Sequence, residues 1–575
     1  MGSSTPSRRL LTLVIAAALA ALAGWCFLHG QPAGLPVDDA YIHLVYAQNL
    51  AQGLGWCFNP GEPSLGTSSP LWVFLIRCLL PFFAPVMAVS VLAFAGLVLS
   101  TILMADIALK TLPEEGWSTR WDRSLLALFA AALFAFSGNL LWIAFCGMET
   151  MVFLFLGLLA VRSAASGRPN ALTALSLALL LLCRIEGWVL YLILPGWLGR
   201  DWFRKTRRAK TRAGFLTSNE PGCLTPAPCR GAIHCARPPG RDESRPYDWG
   251  YETSSSRHSI LWFLIPPAAW LAWTIFTWFR FHEILPSTMQ GKLASNLFNS
   301  GLNFRGPILF LWRHLVYFAQ WPPELLLLLA VAALGLALRR FRPRFATLPE
   351  NASQGPAPLL ALVALWAIAN FLLHALFFRS TAAITPYHYL RYQVPIFPAL
   401  CLASTWTLFL LWENKFWKNL LRSLIISGLL LFILFSVESW RKIFSDNVHH
   451  LGQSHQAAAL WAKTHLPKDA RIAGFDIGSL KFFSGRYVID LGGLTDPAVW
   501  PYLHDRRVGP YLVKERATYY FALDRPPEEG ITGVRRDDGK LYRLQELARF
   551  DAPDYPTPVL LHSRGVIVYK LELIP

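Results

Sequence analysis

Charged residues are scarce in this sequence, and acidic residues are the scarcer of the two kinds. Asp, Glu, Lys and Arg make up 15% of the 575 residues, with 36 acidic and 53 basic side chains. Soluble domains carry about 25% charged residues, so a conventional soluble protein is excluded. Hydrophobic residues make up 54% of the chain, and the mean hydropathy is +0.36. This composition indicates a protein whose main solvent is a membrane.

Lysine and arginine are absent from residues 29–76, whereas Asp38, Asp39 and Glu62 lie there. Loops that stay in the cytoplasm carry an excess of Lys and Arg, so this absence excludes a cytoplasmic position. The segment 70–84 is apolar but shorter than the roughly 20 residues of a crossing helix. We therefore predict that residues 29–85 form an extracytoplasmic loop with interfacial helices.

The nine cysteines offer no disulfide framework, since most lie in apolar segments and residues 439–575 contain none. Cys223, Cys229, His234 and Cys235 lie together in a Pro- and Arg-rich loop. Their spacing matches none of the usual zinc patterns. We interpret this segment as a cytoplasmic loop rather than a metal site. The sequence leaves open whether the protein uses a divalent metal.

The formal net charge of +17 would suit a nucleic-acid partner, but the distribution of the basic residues excludes that class. They cluster in short segments between apolar blocks, which is the pattern of cytoplasmic loops in membrane proteins. The charge therefore indicates topology. The clusters are Arg8 and Arg9; Lys110, Arg120 and Arg123; Arg162 and Arg168; 200–212; 339–344; and Lys415, Lys418 and Arg422.

Apolar blocks and basic clusters together predict a polytopic α-helical membrane protein with about eleven spans. The N-terminus is predicted to be cytoplasmic, and the basic segment 199–258 to be a cytoplasmic loop. A cleaved signal peptide is the alternative for the first block. The predicted spans are 10–28, 86–108, 124–145, 149–165, two short helices within 171–198 that meet near Arg184–Gly187, 259–279, 321–338, 358–378, 394–412 and 419–438.

Residues 439–575 follow the last span and are predicted to be a soluble extracytoplasmic α/β domain, attached to a transmembrane module of residues 1–438. Short runs of β-branched and aromatic residues predict strands, and a helical turn is predicted at 477–484. The predicted strands are 471–476, 486–491, 519–523 and 565–571.

Ionisable residues occur in five groups at the predicted outer face, and such residues beside a membrane are functional candidates. Asp38 and Asp39 suit a general base, although an Asp at a helix start also serves as an N-cap. Glu149 lies in an outer turn and suits either a sugar hydroxyl or metal, or the cap of the next helix. Arg184 and Glu186 form either a buried structural ion pair or part of the site.

Three cations follow in later outer segments, namely Lys292, His388 and Arg391. Arginine offers a bidentate fork and lysine a point charge, so both suit a phosphate. Interfacial snorkelling is the alternative for each cation taken singly. Sugar transfer from a lipid phosphate needs a carboxylate base and cations that stabilise the departing phosphate. We predict that these acids and cations converge at one membrane-edge pocket.

Several short segments carry a resemblance to one family, in sequence order. The first outer loop contributes Asp38–Leu50, Gly53–Gly55, Asn59–Glu62 and Thr67–Trp72. Among later segments, Gly147–Thr150 is similar to a Gly-Leu-Glu-Thr turn of that family, and Arg184–Gly187 to an Arg-Pro-Glu-Gly segment. Leu285–Thr288 with Lys292 is similar to a Leu-Pro-Asn-Thr motif with a following Lys, and Arg391–Tyr392 to an Arg-Tyr pair. Asp476–Gly478 and Asp490–Leu494 are similar to two motifs of the C-terminal tail.

The chain thereby resembles bacterial C-type glycosyltransferases, and in particular the mycobacterial terminal arabinofuranosyltransferases. Ile185 and Ser287 depart from the family motifs, and the 199–258 insertion has no counterpart. The resemblance implies a GT-C fold in the bacterial inner membrane. It also implies inverting transfer of a sugar from a polyprenyl-phosphate donor to a cell-envelope glycan or lipid acceptor, with membrane lipids as the other partners.

The resemblance also assigns residues. An Asp of the 38/39 pair is implied to be the base, with Asp38 favoured and Asp39 as its orienter. The residues implied to bind substrate are Tyr41, His43, Glu149, Arg184, Glu186, Lys292, His388, Arg391 and Tyr392. A lipid or solute transporter is the alternative function, although transporters place ionisable residues near the midplane and contain inverted repeats. A structural or sensory membrane protein is a third class, and it leaves the outer polar segments unexplained.

Overall fold

The structure is a computed structural model, and it describes most of the chain. The predicted loop 199–258, with its Cys and His residues, and the predicted site residues Lys292 and His388 lie outside the described residues. The described ranges are 6–112, 122–165, 169–198, 261–287, 289–290, 308, 312–313, 323–340, 357–377, 390–413, 420–504, 508–524, 542–556 and 563–574.

The described residues up to 198 form mostly apolar helices. Pro70 and Pro85 occupy the first helical positions of two of them, where a proline removes only an N–H that has no intrahelical partner. The helices are α1 (Pro6–Leu28), α2 (Asp38–Ala51), α3 (Pro70–Leu79), α4 (Pro85–Thr111), α5 (Asp122–Ala135), α6 (Gly138–Phe145), α7 (Thr150–Ala164), α8 (Ala171–Cys183) and α9 (Gly187–Leu198).

The described residues of the second half of the helical module form further apolar helices, the last of which is long. That helix is followed by a π-helical turn, Gly452–Gln456, and a shorter helix that leads into the sheet. These helices are α10 (Ile265–Phe281), preceded by a 3₁₀ turn at Trp262–Leu264, then α11 (Pro323–Arg340), α12 (Ala357–Phe377), α13 (Ile396–Glu413), α14 (Leu420–Leu451) and α15 (Ala457–His465).

Every predicted span overlaps a described helix, so the prediction of a polytopic helical membrane protein is confirmed. Within the described part of the chain, four helices are long and apolar enough to cross a membrane, or five with the α5–α6 pair. The predicted single span 124–145 bends by 56° between α5 and α6. Several other apolar helices in the described ranges have apolar stretches of only 10–17 residues, less than the roughly 20 that a full crossing needs. The count of eleven spans stays a prediction.

The break predicted within 171–198 is confirmed. Helix α8 ends at Cys183, and Arg184 has an extended backbone, with φ −154° and ψ 145°. Helix α9 begins at Gly187, where a Cβ atom would lie 2.9 Å from the carbonyl oxygen of Leu180. Two helices therefore meet at residues 184–186, and the polar side chains there project from a turn.

The basic residues at one end of the helical module surround a single buried acid. Asp106 of α4 accepts hydrogen bonds from Arg9 of α1 and from Arg162 of α7. Arg123 of α5 donates to the carbonyl oxygen of Leu109 in the same region. Three of the predicted basic clusters thus gather in one place, as expected for one face of a membrane.

A mixed five-stranded sheet forms the C-terminal domain. Its strand order is β2-β1-β3-β5-β4; β1 pairs in parallel with β2 and β3, while β5 is antiparallel to β3 and β4. Short helices α16 (Gly478–Ser484), α17 (Trp500–His504) and α18 (Val508–Lys514) connect the strands. The strands are β1 (Arg471–Gly474), β2 (Tyr487–Asp490), β3 (Tyr519–Asp524), β4 (Tyr542–Asp551) and β5 (Gly565–Leu573).

The four predicted strands and the helical turn are present, and β4 was not predicted. Strand β4 lies at the edge of the sheet, and most of its side chains are exposed or half-buried. Its sequence therefore lacks the apolar alternation that marks a strand. Helix α14 runs through residue 438, so no turn marks the predicted boundary there, and the division at that residue stays a prediction.

Helices α6 and α14 approach each other closely at Gly138. The amide of Gly138 donates a 3.0 Å hydrogen bond to Ser436 Oγ, and a Cβ atom at residue 138 would overlap with the Ser436 carbonyl. Gly138→Ala is expected to destabilise the protein by about 1–3 kcal/mol, since overpacking forces backbone shifts. The measurement is thermal unfolding in detergent. Gly428→Ala on α14, where a Cβ meets open space, is the control and should not lower the midpoint; equal midpoints for both variants would contradict the packing.

Candidate active site

Helix α2 carries the predicted acidic pair and lies between the helical module and the C-terminal domain. Asp38 and Asp39 occupy its first turn, where carboxylates complement the helix dipole. Most other side chains of this helix are buried, including Tyr41 and His43. The two acids therefore lie at the start of a helix that is packed on several sides. Their environments differ sharply.

Asp39 forms an ion pair with Arg391, a residue 352 positions later in the chain. Arg391 Nη2 donates to Asp39 Oδ2 over 2.8 Å and to the Tyr392 hydroxyl over 2.9 Å. The Arg391 side chain is only 2% exposed, whereas that of Asp39 is 44% exposed. Among the described residues, Nε and Nη1 of Arg391 have no hydrogen-bond partner. The Asp39 carboxylate is thus partly open to solvent, whereas these two guanidinium nitrogens are themselves buried.

Asp38 is buried and accepts three hydrogen bonds from the C-terminal domain. The donors are the Gly478 amide at 2.8 Å, the Ser479 amide at 2.7 Å and the Ser479 hydroxyl at 2.6 Å. Burial and the nearby charge of Asp476 raise the pKa of Asp38 to about 6, while His455 and Ser479 oppose this shift. Both carboxylate oxygens are therefore occupied by protein donors, which does not suit the predicted role of Asp38 as the base.

His43 and Glu149 lie next to each other behind the Asp39 pair. His43 Nδ1 lies 2.8 Å from Thr67 Oγ1, and its Nε2 lies 3.8 Å from a Glu149 carboxylate oxygen. Burial lowers the pKa of His43, which favours the neutral imidazole. The Glu149 side chain does not cap α7, the alternative that its position had suggested. It instead accepts a 2.8 Å hydrogen bond from Arg184 Nη1.

Arg184 lies between two buried carboxylates. Besides Glu149, it bonds Glu186 with two nitrogens, at 2.7 and 3.3 Å. Glu186 in turn lies 3.4 Å from His374 Nε2. The guanidinium carbon of Arg184 is 5.0 Å from the ring centroid of Tyr392, and that of Arg391 is 4.9 Å from it. The Tyr392 ring thus contacts both arginines, a cation–π arrangement that joins the two ion pairs into one polar network.

A cavity opens beside this network. It has about 840 Å³ of empty volume, including its mouth. Its walls combine apolar and aromatic residues with the polar groups of the network, as in sites for small molecules. The lining includes Arg184, Glu186, His374, Tyr392, Trp270 and Trp273.

The structure brings together seven of the predicted site residues. Tyr41 is not among them: its hydroxyl accepts a hydrogen bond from the Leu35 amide, and its ring packs on Phe482 and Phe483 of the C-terminal domain. Lys292 and His388 lie outside the described residues. The seven are Asp39, His43, Glu149, Arg184, Glu186, Arg391 and Tyr392.

Two contributors were missed at the sequence level. His374 lies within the predicted span 358–378 and contacts Glu186; an ionisable residue inside an apolar span is itself a signal of function. Ser479 holds Asp38 through both its amide and its hydroxyl, and no local pattern marks such a long-range contact. Among the described residues, no group of three His, Cys, Asp or Glu side chains could hold a metal ion.

Comparisons with known proteins bear on the fold. A family model described as a domain of unknown function (DUF8728) matches residues 446–569. Comparison with curated proteins gives no match. The crystal structure of ArnT from Cupriavidus metallidurans in the apo state is similar over 97% of both chains, with 13% identity and a TM-score of 0.50. The same protein bound to undecaprenyl phosphate gives 12% identity and a TM-score of 0.48 over the same shares.

The chain therefore has the GT-C fold of an integral membrane protein, with a small C-terminal sheet domain. The expected GT-C fold is confirmed. The resemblance to the mycobacterial arabinofuranosyltransferases stays a prediction.

Arg184 is the charge on which the buried carboxylates depend. Arg184→Met leaves Glu149 and Glu186 without their shared counter-ion, so we expect a loss of about 3–5 kcal/mol in folding free energy, as for other broken buried pairs. Arg549→Met, which removes the exposed pair with Asp524 on the sheet, should lose less than about 1 kcal/mol. Thermal unfolding in detergent measures both. Similar losses for the two variants would contradict the buried network.

Proposed function

We propose that the protein is an inverting glycosyltransferase that takes a sugar from a polyprenyl-phosphate donor. The observation that supports this proposal is the Asp39–Arg391 pair, in which a partly exposed carboxylate contacts a buried arginine with two nitrogens that lack a partner among the described residues. A carboxylate that suits a base and a guanidinium that suits a phosphate therefore lie side by side. The GT-C fold agrees with this function, although a fold alone does not define one.

Asp39 is the proposed base. The acceptor hydroxyl transfers its proton to the Asp39 carboxylate as its oxygen attacks the anomeric carbon of the donor sugar. The bond between that carbon and the phosphate oxygen breaks, and its electron pair leaves with the polyprenyl phosphate. One displacement from the opposite face inverts the anomeric configuration. Asp38 is set aside as the base, because both of its oxygens accept hydrogen bonds from residues 478 and 479.

Arg391 is the proposed ligand of the departing phosphate. Its Nη2 holds Asp39, while Nε and Nη1 have no partner among the described residues and can donate to phosphate oxygens. Negative charge that builds on the leaving group is then stabilised by a donor that is already in place. Lys292 and His388 are proposed as further phosphate ligands on the sequence alone, as cations of the later predicted outer segments.

The cavity beside the network is the proposed site of the substrate's sugar. Trp270 and Trp273 in its wall offer aromatic faces, and Glu186 offers an acceptor for hydroxyl groups. We propose that this site faces the extracytoplasmic side of the bacterial inner membrane, since residues 29–76 lack Lys and Arg. The basic residues around Asp106 then mark the cytoplasmic side. The acceptor is a cell-envelope glycan or lipid.

Asp39→Asn is expected to lower the transfer rate by about 10²-fold or more, since positioned proton acceptors contribute about 10²–10⁴-fold to rates. The assay supplies labelled short-chain polyprenyl-phosphate sugars to proteoliposomes with cell-envelope acceptors, and follows both labelled product and released polyprenyl phosphate. Glu438→Gln, a carboxylate change at a 74% exposed side chain on α14, is the control and should retain the wild-type rate.

Wild-type protein that moves the intact labelled donor across the bilayer without releasing polyprenyl phosphate would instead support the transporter alternative. An Asp39→Asn variant that transfers sugar at the wild-type rate would contradict the assignment of Asp39 as the base.

Arg391 provides a separate test. Arg391→Gln removes the charge and the fork, so transfer should fall by about 10²-fold or more, as for loss of other preorganised donors. Arg391→Lys keeps the charge without the bidentate geometry and should lie between Gln and wild type. Inhibition by free polyprenyl phosphate should weaken in the same order. Unchanged inhibition in Arg391→Gln would show that the phosphate binds elsewhere.

A further inference from the structure

The C-terminal domain holds the residue next to the proposed base. Asp38 of α2 and the pair Gly478–Ser479 are about 440 positions apart, yet three hydrogen bonds of 2.6–2.8 Å join them. Asp39 follows Asp38 directly on the same first helical turn. A shift of Asp38 therefore moves the backbone that carries Asp39.

Close backbone packing reinforces this contact. A Cβ atom at Gly478 would overlap with the backbone carbonyl oxygen of Asp38. The start of α16 thus lies directly against the start of α2, and only glycine fits between them. Hydrogen bonds at a contact this tight fix direction as well as distance.

Asp38 is also close to a hydrogen-bonded set of side chains in the C-terminal domain. His455 Nε2 lies 3.0 Å from Asp476 Oδ2, and His455 Nδ1 lies 2.8 Å from Ser454 Oγ. His455 belongs to the π-helical turn Gly452–Gln456, a type of irregularity that occurs frequently at functional sites. The titratable groups that interact with Asp38 are Asp476 and His455 of the C-terminal domain and Tyr41 of its own helix.

The loop after α2 is joined to the same domain. Asn59 bonds both the amide and the carbonyl of Val488 on strand β2, at 3.1 and 2.9 Å. Lys481 Nζ donates to Asn59 Oδ1 over 3.0 Å and is itself buried. Helix α2 is therefore held at its start through Asp38 and beyond its end through Asn59. Both attachments lie within or against the region that the family model matches, residues 446–569.

We propose that the C-terminal domain is a positioning device for catalysis, and that Asp38 is the positioning residue through which it sets the place of Asp39. This inference rests on the proposed function, because it concerns the base of that reaction. It gives the domain a role in kcat rather than in substrate recognition. The ionised Asp38 is the competent form, since a carboxylate accepts these three hydrogen bonds more strongly than a protonated carboxyl does.

Two variants test the contact from opposite sides. Asp38→Asn removes the charge, and Gly478→Ala forces the two backbones apart. Each should lower kcat by about 10-fold or more, because a misplacement of 1 Å costs up to about 10²-fold, while KM for the short-chain polyprenyl-phosphate sugar stays unchanged. Ser479→Ala, which removes only the hydroxyl donor, should give a smaller fall in kcat with the domain intact. Gly428→Ala is the matched glycine control.

The pH profile separates positioning from mere structural support. Burial raises the pKa of Asp38 to about 6, so wild-type Asp38 is ionised at pH 8 and protonated at pH 5. The ratio of wild-type to Asp38→Asn rates should therefore be large at pH 8 and approach one as the pH falls through about 6. Titrating groups that do not interact with Asp38 act alike in both proteins and cancel in this ratio.

Hydrogen exchange supplies a readout that does not depend on activity. Amides of α2 should exchange faster in Asp38→Asn and Gly478→Ala than in wild type, while those of α4 stay unchanged. Unchanged kcat and unchanged α2 exchange in both variants would overturn the positioning role, as would a higher acceptor KM with normal kcat, which indicates an acceptor-binding domain. These results leave the proposed function standing, whereas wild-type protein without transferase activity overturns that function and the inference with it.

Discussion

Burial of the Arg391 guanidinium is the constraint on which the rest of the site depends. A cation at this depth needs a counter-ion, and the nearest carboxylate belongs to Asp39, 352 residues earlier. This requirement joins the start of α2 to the turn before α13, and it leaves the carboxylate facing solvent. The same ion pair therefore satisfies a structural need and produces the juxtaposition of base and phosphate ligand that the proposed reaction requires.

The remaining charges of the network follow the same logic. Arg184 is shared by Glu149 and Glu186, and the Tyr392 ring contacts both arginines. Two ion-paired arginines and one aromatic ring thus link four separate segments of the chain. In the proposed reaction, Arg391 binds the phosphate through Nε and Nη1 while its Nη2 stays bound to Asp39, so this framework is kept.

Hydropathy and basic clusters were sufficient to predict where the helices lie, and the ionisable pair at Arg184 and Glu186 was sufficient to predict the break between α8 and α9. The sequence also predicts that the acidic pair and later cations converge at one pocket, and the contact between Asp39 and Arg391 agrees with that prediction. The sequence did not predict which acid of the pair is the base. Neighbouring residues on a helix point about 100° apart, so Asp38 and Asp39 have different surroundings that only their contacts with distant residues reveal. Strand β4 and the bend between α5 and α6 escaped prediction, since an exposed edge strand and a bend within one apolar run leave no periodic signal.

The proposed position of the carrier's phosphate beside Arg391 is tested most directly by a cryo-EM structure of the protein with bound polyprenyl phosphate. We expect phosphate density within about 3 Å of Arg391 Nε or Nη1. The Asp39 carboxylate should still accept a hydrogen bond from Nη2, and the prenyl chain should extend toward the membrane. Phosphate density at the opposite end of the module, beside Arg9, Asp106 and Arg162, would contradict it.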